Sequence, residues 1–246
     1  MYQRKGFSII ELLVVIGIMA VLITMLIPPL GKAKEHAKHA VCLANMKALI
    51  SAWIIYTDEY SDHIVPSGTY SVNQWVYAPW PPPAFLNDNL RADLIMAGQL
   101  WPYVESLESY HCLSDPTAHL CSYSIQNSLN GDPWWAQETS SPLVKKLTSI
   151  HQPDSVFVFL DEGDSREFNY GTWVVYTQSD KWIDPVTAWH LNSTSFAFAD
   201  GRAQSHRWLD DRTLRIAHEQ LFYQITPENM DLDWLRYGYK IIHNGK

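Results

Sequence analysis

The sequence predicts an α+β fold: a long N-terminal helix, membrane-spanning in its first half, packed through its second half on an antiparallel β-sheet head. Three observations predict it. Residues 7–27 are almost wholly apolar, long enough for a membrane span. Residues 31–60 alternate apolar and charged positions at helical spacing. The C-terminal half carries short runs rich in β-branched and aromatic residues, two of them joined by Asp200-Gly201.

Composition narrows the function classes. Hydrophobic residues make up 47% of the 246 positions and charged ones 18%, with 11 Trp and 13 Tyr, which describes a packed body rather than a disordered chain. The formal net charge is −8, and no basic stripe occurs beyond residue 50. Nucleic acid is therefore excluded as a partner, because phosphate binding needs a clustered Lys/Arg surface.

The apolar run follows the short basic leader Gln3-Arg4-Lys5-Gly6. About 20 apolar residues at about 1.5 Å each cover the roughly 30 Å hydrocarbon core of a bilayer. A secretory signal peptide would have a shorter apolar region ending in a small-residue cleavage site. Here the far end reads Pro28-Pro29-Leu30-Gly31, and a kink or local melting is predicted at Pro28. Beyond it, Ala33, Ala37, Val41, Ala44, Ala48, Ala52 and Ile55 recur at three- and four-residue spacing. Lys32, Lys34, Glu35, Lys38 and Lys47 take other faces, so the helix is predicted to reach about Tyr60. Its alanine-rich stripe suits close packing against a sheet.

Glu11 does not fit a plain anchor. An ionised carboxylate deep in a bilayer costs on the order of 2.5 kcal/mol or more, so this one either reaches the headgroups or has a partner.

Residues 64–83 are rich in Pro, Tyr and Trp and read as a rigid surface loop, ahead of a short helix over 91–98. Strands are predicted over 122–127, over 155–160 between Pro153 and the acidic run Asp161-Glu162-Gly163-Asp164, and over 171–176. Residues 195–199 and 202–208 read as a hairpin closed by a two-residue type I′ turn at Asp200-Gly201.

Catalytic chemistry finds little support. A hydrolase would pair His190 or His206 with Asp200 and a serine such as Ser193. Asp200 already has a turn to make, and no nucleophile elbow or glycine-rich oxyanion loop is present. The chain is read as a non-enzyme, with His190 a hydrogen-bonded structural residue. Asp161, Glu162 and Asp164 are candidate oxygen ligands for Ca²⁺, without the spacing of an EF-hand loop, and a solvated acidic turn is the favoured reading. No other cofactor is expected. Trp75, Trp80, Trp134 and Trp135 are read as core or loop packing rather than a ligand face.

The segment Gly6-Phe7-Ser8-Ile9-Ile10-Glu11-Leu12-Leu13-Val14-Val15 resembles the class III signal of type IV prepilins and type II secretion pseudopilins. The resemblance implies that a prepilin peptidase cuts between Gly6 and Phe7 and methylates the new Phe7 amine. It implies that Glu11 is neutralised by the Phe7 amine of a neighbouring subunit during fibre assembly, making Glu11 an assembly-register device. Residues 1–6 would then be a leader, 7–30 a transmembrane helix, 31–60 its amphipathic continuation and 61–246 a head outside the cytoplasm. Charge leaves the orientation open, since Arg4 and Lys5 lie on one side and Lys32, Lys34 and Lys38 on the other. The resemblance decides for a bacterial inner-membrane protein with a cytoplasmic N-terminus and a periplasmic head. The partners it implies are the peptidase, other pilin or pseudopilin subunits, the inner-membrane assembly platform and the lipid bilayer.

His190, followed nine residues later by Asp200-Gly201, resembles the H-x9-DG signature of a bacterial group of prepilin-like proteins. Gly98-x-Leu100-x-Pro102-Tyr103, Cys112-x-x-Asp115, Ser122-Tyr123-Ser124, Asp161-Glu162 and Asn229-x-Asp231-x-x-Trp234 match the same group, which has a proline where this chain has Leu113. For an exported body, Cys112 and Cys121 are close enough in sequence to close a small loop by a disulfide, leaving Cys42 free; ordinary buried thiols are the alternative. The expected function is a structural subunit of a pilus-like or pseudopilus fibre. The rival is a membrane-anchored binding or adhesion module that uses the signal only for display.

Overall fold

The computed structural model describes residues 8–68, 73–77, 87–117, 119–163 and 171–240. The chain divides into two compact units, one ending at Ala37 and the other beginning at Lys38. Helix α1 spans Ile9–Glu59.

In the first unit the side chains of Ile9 through Ile27 are all exposed. The helical backbone continues through Pro28 and Pro29, so the melting predicted there is not found. A proline removes one backbone donor and crowds the preceding turn, a local cost that the intact turns on either side carry.

In the second unit α1 buries Cys42, Met46, Leu49, Ile50, Trp53 and Tyr56. This corrects the face expected from the alanines. Of the second unit's predicted stripe only Ala52 is buried, while Val41, Ala44, Ala48 and Ile55 are exposed. The period is as expected and the face is not, because a Met, Leu or Trp removes several times more apolar surface from water than an alanine methyl.

Helices α2 (Asp88–Met96), α3 (Trp101–Val104) and α4 (Pro133–Glu138) are short. The first starts ahead of its predicted position because Asn87 caps it, accepting from Leu90 N at 2.9 Å. The sheet has strands β1 (Tyr123–Gln126), β2 (Phe157–Asp161), β3 (Thr172–Trp173), β4 (Ser193–Phe198) and β5 (Ala203–Arg207), in the order β3-β1-β2-β4-β5. It is mixed rather than wholly antiparallel, since β3 runs parallel to β1 with Ile125 opposite Thr172. The chain has crossed β1 and β2 before β3 arrives, so β3 adds to the open edge of β1 in the parallel sense.

The register of β2 against β4 shifts between Phe157 and Phe159. Such a bulge breaks the two-residue alternation. Phe159 joins the cluster built on α1 with Trp53, Trp75, Tyr110 and Ile125. Phe157 and Leu160 join a second cluster with Trp173, Trp182, Phe196 and Trp208. That cluster is closed by α5 (Asp211–Glu219) and α6 (Met230–Lys240), which contribute Ile216, Leu232, Leu235 and Tyr239.

The predicted hairpin is present with a different turn. Phe198 N–H donates to Arg202 O at 2.8 Å and Gly201 N–H to Phe198 O at 2.8 Å, leaving a three-residue loop, Ala199 to Gly201. Only Gly201 of the three has positive φ, at +87°. Asp200 instead accepts from Arg202 N at 3.0 Å through its carboxylate. The extra loop residue lets Ala199 N–H reach Val156 O and Asp200 N–H reach Pro153 O, which ties the turn to the start of β2.

Candidate functional site

Gly6 and Phe7 lie outside the described residues, and the structure begins at Ser8. Ser8 Oγ accepts from Ile10 N at 3.2 Å and from Glu11 N at 3.4 Å. Glu11 Oε2 accepts from Ser8 N at 2.9 Å. This reciprocal pair is a capping box, in which the serine satisfies the first helical donors and the glutamate reaches back to the cap. Its signal is plain in Ser8-x-x-Glu11 ahead of an apolar run, and it supplies Glu11 with a partner in its own chain. The carboxylate also sits at the positive end of the helix dipole.

A second constellation is buried in the head. Cys42 of α1 and Cys112, in the segment between the 3₁₀ turn Leu107–Tyr110 and β1, place their Sγ atoms 2.7 Å apart. Cys112 Sγ is 3.2 Å from His190 Nε2, which is 3.6 Å from Asp161 Oδ2. All four side chains are buried. The imidazole of His190 stacks on His39 of α1 with ring centroids 4.5 Å apart. Asp161, at the end of β2, accepts from Ser195 N at 2.6 Å. Among the described residues, the potential ligand atoms of Cys42, Cys112 and His190 form a convergent group lying within 4.8 Å of one another.

The electrostatics follow from burial. Burial pushes the Asp161 carboxyl up to about 7, with His190 and the Ser195 N–H pulling the other way. The Cys112 thiol is raised by its hydrogen bond to Cys42 and by burial. The same hydrogen bond holds Cys42 well below the usual thiol range, against the effect of burial. Cys121 stands apart: its thiol donates to Tyr123 O at 3.4 Å, and burial pushes it up to about 12.

The residues singled out by sequence are thus sorted. Cys112 lies against Cys42 rather than Cys121, and all three are free thiols. His190 is paired with Asp161, while Asp200 sits at the hairpin's far end with Arg202. His206 stacks on Trp234 at 3.7 Å and lies 4.0 Å from Asp231, so neither histidine faces Asp200 and Ser193 as a triad would require. Of the Ca²⁺ candidates, Asp161 faces His190, the buried Glu162 accepts from Ser124 Oγ, and Asp164 lies outside the described residues. Gly201 accepts through its carbonyl from Lys47 Nζ of α1 at 2.5 Å. The roles of Cys42, His39 and Lys47 were missed by sequence reasoning; only the cysteine's chemistry could have flagged the first.

The family model for the prokaryotic N-terminal methylation motif matches residues 1–27. The chain is 31% identical over 87 residues to the type II secretion system core protein G of Escherichia coli strain K12. That match covers 35% of this chain and 59% of the relative, so the chain spans less than two thirds of the relative's length. No solved structure matches. With a methylation-motif match that takes in the apolar start of α1, and with this likeness to a type II secretion core protein, the chain is pilin-like.

Proposed function

We propose that this chain is a structural subunit of a type IV pilus-like or type II secretion pseudopilus fibre. A prepilin peptidase cuts it between Gly6 and Phe7; the apolar helix anchors it in the inner membrane, and the head lies in the periplasm. The observation that carries the reading is the run Ile9 to Ile27, exposed along its whole length and lying within the segment that matches the methylation motif. An apolar stripe this long needs a bilayer or the helices of neighbouring subunits around it. Glu11 supports the fibre over a solitary anchor. Its capping bond to Ser8 brings no counter-charge, and a neighbour's Phe7 amine is one that assembly supplies.

The test is intact-mass and N-terminal analysis of the protein from membranes of cells with an active prepilin peptidase. A chain beginning at methylated Phe7 supports the proposal. A chain beginning at Met1 beside a processed control prepilin reduces the N-terminus to a simple anchor.

A further inference from the structure

Two cysteines far apart in the chain are brought face to face in the head's interior. Among the described side chains of α1, Cys42 is the first that is fully buried, and Cys112 lies 70 positions on. The contact is held from both sides by bonds that do not involve sulfur. Asn45, one turn along α1, donates to Glu108 O and to His111 O, each at 3.0 Å. Cys112 N–H donates to Ser122 Oγ at 3.1 Å, and that hydroxyl donates to Asp115 Oδ2 at 2.6 Å. Asp115 N–H closes the loop on Cys112 O at 2.9 Å. The loop is therefore shaped to present one sulfur to the helix.

We propose that Cys42 and Cys112 form a disulfide in the mature protein, stapling the first buried turn of α1 to the loop that enters β1, with Cys121 left as a free thiol. Placing this bond in the cell rests on the translocated head proposed above, because a bridge of this kind persists in an oxidising compartment. The oxidant is a protein disulfide of the periplasmic thiol-oxidase class. One cysteine thiolate attacks a sulfur of that disulfide, releasing the oxidant's first thiol. The second cysteine thiolate then attacks the mixed disulfide, forming the bond between the two Sγ atoms and releasing the other thiol. The chain loses two electrons and two protons, and the oxidant leaves as a dithiol. His190 Nε2, 3.2 Å from Cys112 Sγ, is placed to take that thiol's proton, with Asp161 behind it.

The competing chemistry is a metal ion held by Cys42, Cys112 and His190, with Asp161 as a fourth ligand. Two thiolates on one tetrahedral zinc, at about 2.3 Å each, sit about 3.8 Å apart. The 2.7 Å separation lies nearer the about 2.05 Å of a sulfur–sulfur bond than that spacing.

The experiment uses the full chain from cells quenched with acid, its thiols alkylated in denaturant without reductant and mapped by mass spectrometry, beside a second preparation kept native in detergent without chelator. Protease added to spheroplasts reports separately whether the head is outside. The expected result is one alkylated thiol, on Cys121, and a peptide pair joined through Cys42 and Cys112. Reductant should lower the thermal midpoint of the wild type by roughly 10 °C and leave a C42A/C112A variant unmoved. A protease-accessible head with three alkylated thiols overturns the proposal, as does a peptide joined through Cys112 and Cys121. A native mass carrying one zinc ion overturns it in favour of the metal site. A protease-protected head counts against the fibre reading alone. In that case titration of the purified chain with a glutathione redox couple decides the pairing, which fails if Cys42 and Cys112 stay reduced under oxidised glutathione.

Discussion

Lys47 of α1 donates to the Gly201 carbonyl at 2.5 Å, two helical turns beyond the His39 ring on which His190 stacks. The two ends of the H-x9-DG segment thus grip one helix at two levels. Two features favour glycine at its level. Its φ is +87°, and a Cβ there would lie 3.2 Å from Ile54 Cδ1. Gly201→Ala should therefore cost about 1–2 kcal/mol of head stability, measured by denaturant unfolding of the full chain in detergent. Lys47→Met should cost about 1 kcal/mol through the lost hydrogen bond. If both variants unfold at the wild-type midpoint, the turn does not hold the helix.

The buried face of α1 gives a second test. Met46 and Leu49 are fully buried, so Met46→Ala or Leu49→Ala should cost about 2–5 kcal/mol each. Ala44→Ser and Ala48→Ser, on the exposed face, should stay within about 0.5 kcal/mol of wild type. The reverse ranking in the same unfolding assay would restore the alanine stripe as the packed face.

These residues show what the sequence could and could not reveal. The apolar N-terminal run and the hairpin were legible because each signal is local, a length in one case and a turn dipeptide in the other. The choice between two apolar faces of α1 was not, since it depends on which side chains find a deep partner such as Trp75 or Phe159. The parallel pairing of β3 depends on a sheet edge left open far away in sequence. Helices α5 and α6 were overlooked although Asp210 is a capping residue, accepting from Arg212 N at 2.8 Å. The buried cluster was legible only in part: Cys112, Asp161 and His190 stood in scattered motifs and Cys42 in none, and folding alone brings the four segments together.

Glu11 joins a local bond to a proposed intersubunit one, and two substitutions separate them. Glu11→Gln keeps an acceptor for Ser8 N–H and loses the charge, whereas Glu11→Ala loses both. If the charge pairs with a neighbour's amine, both variants stay in the membrane and neither forms fibres. Ser8→Ala removes only the cap, a loss of about 1 kcal/mol at the helix terminus, and should still assemble. Immunoblotting of sheared fibres against membranes checks all three. Fibres from Glu11→Gln would leave capping as the residue's whole role.

Asp161 sets a pH dependence whose direction can be worked out. Burial raises its carboxyl from 3.8 to about 7 in the folded head. Between those values the folded state holds a proton that the unfolded chain releases. This contribution is fully present below about pH 4 and is lost as pH rises through 7. Asp161→Asn is neutral throughout, and its amide oxygen can still accept from Ser195 N–H. The variant should match wild type near pH 4 and exceed it near pH 8 by a few kcal/mol, since each tenfold change in proton affinity is worth about 1.4 kcal/mol. Taking the difference between the two proteins at each pH cancels the titration of groups they share. His190 supplies the opposite outcome: if it is protonated and paired with an ionised Asp161, the asparagine variant will be the less stable protein at neutral pH. Thermal unfolding of both proteins from pH 4 to 8 separates a buried neutral acid from a buried ion pair.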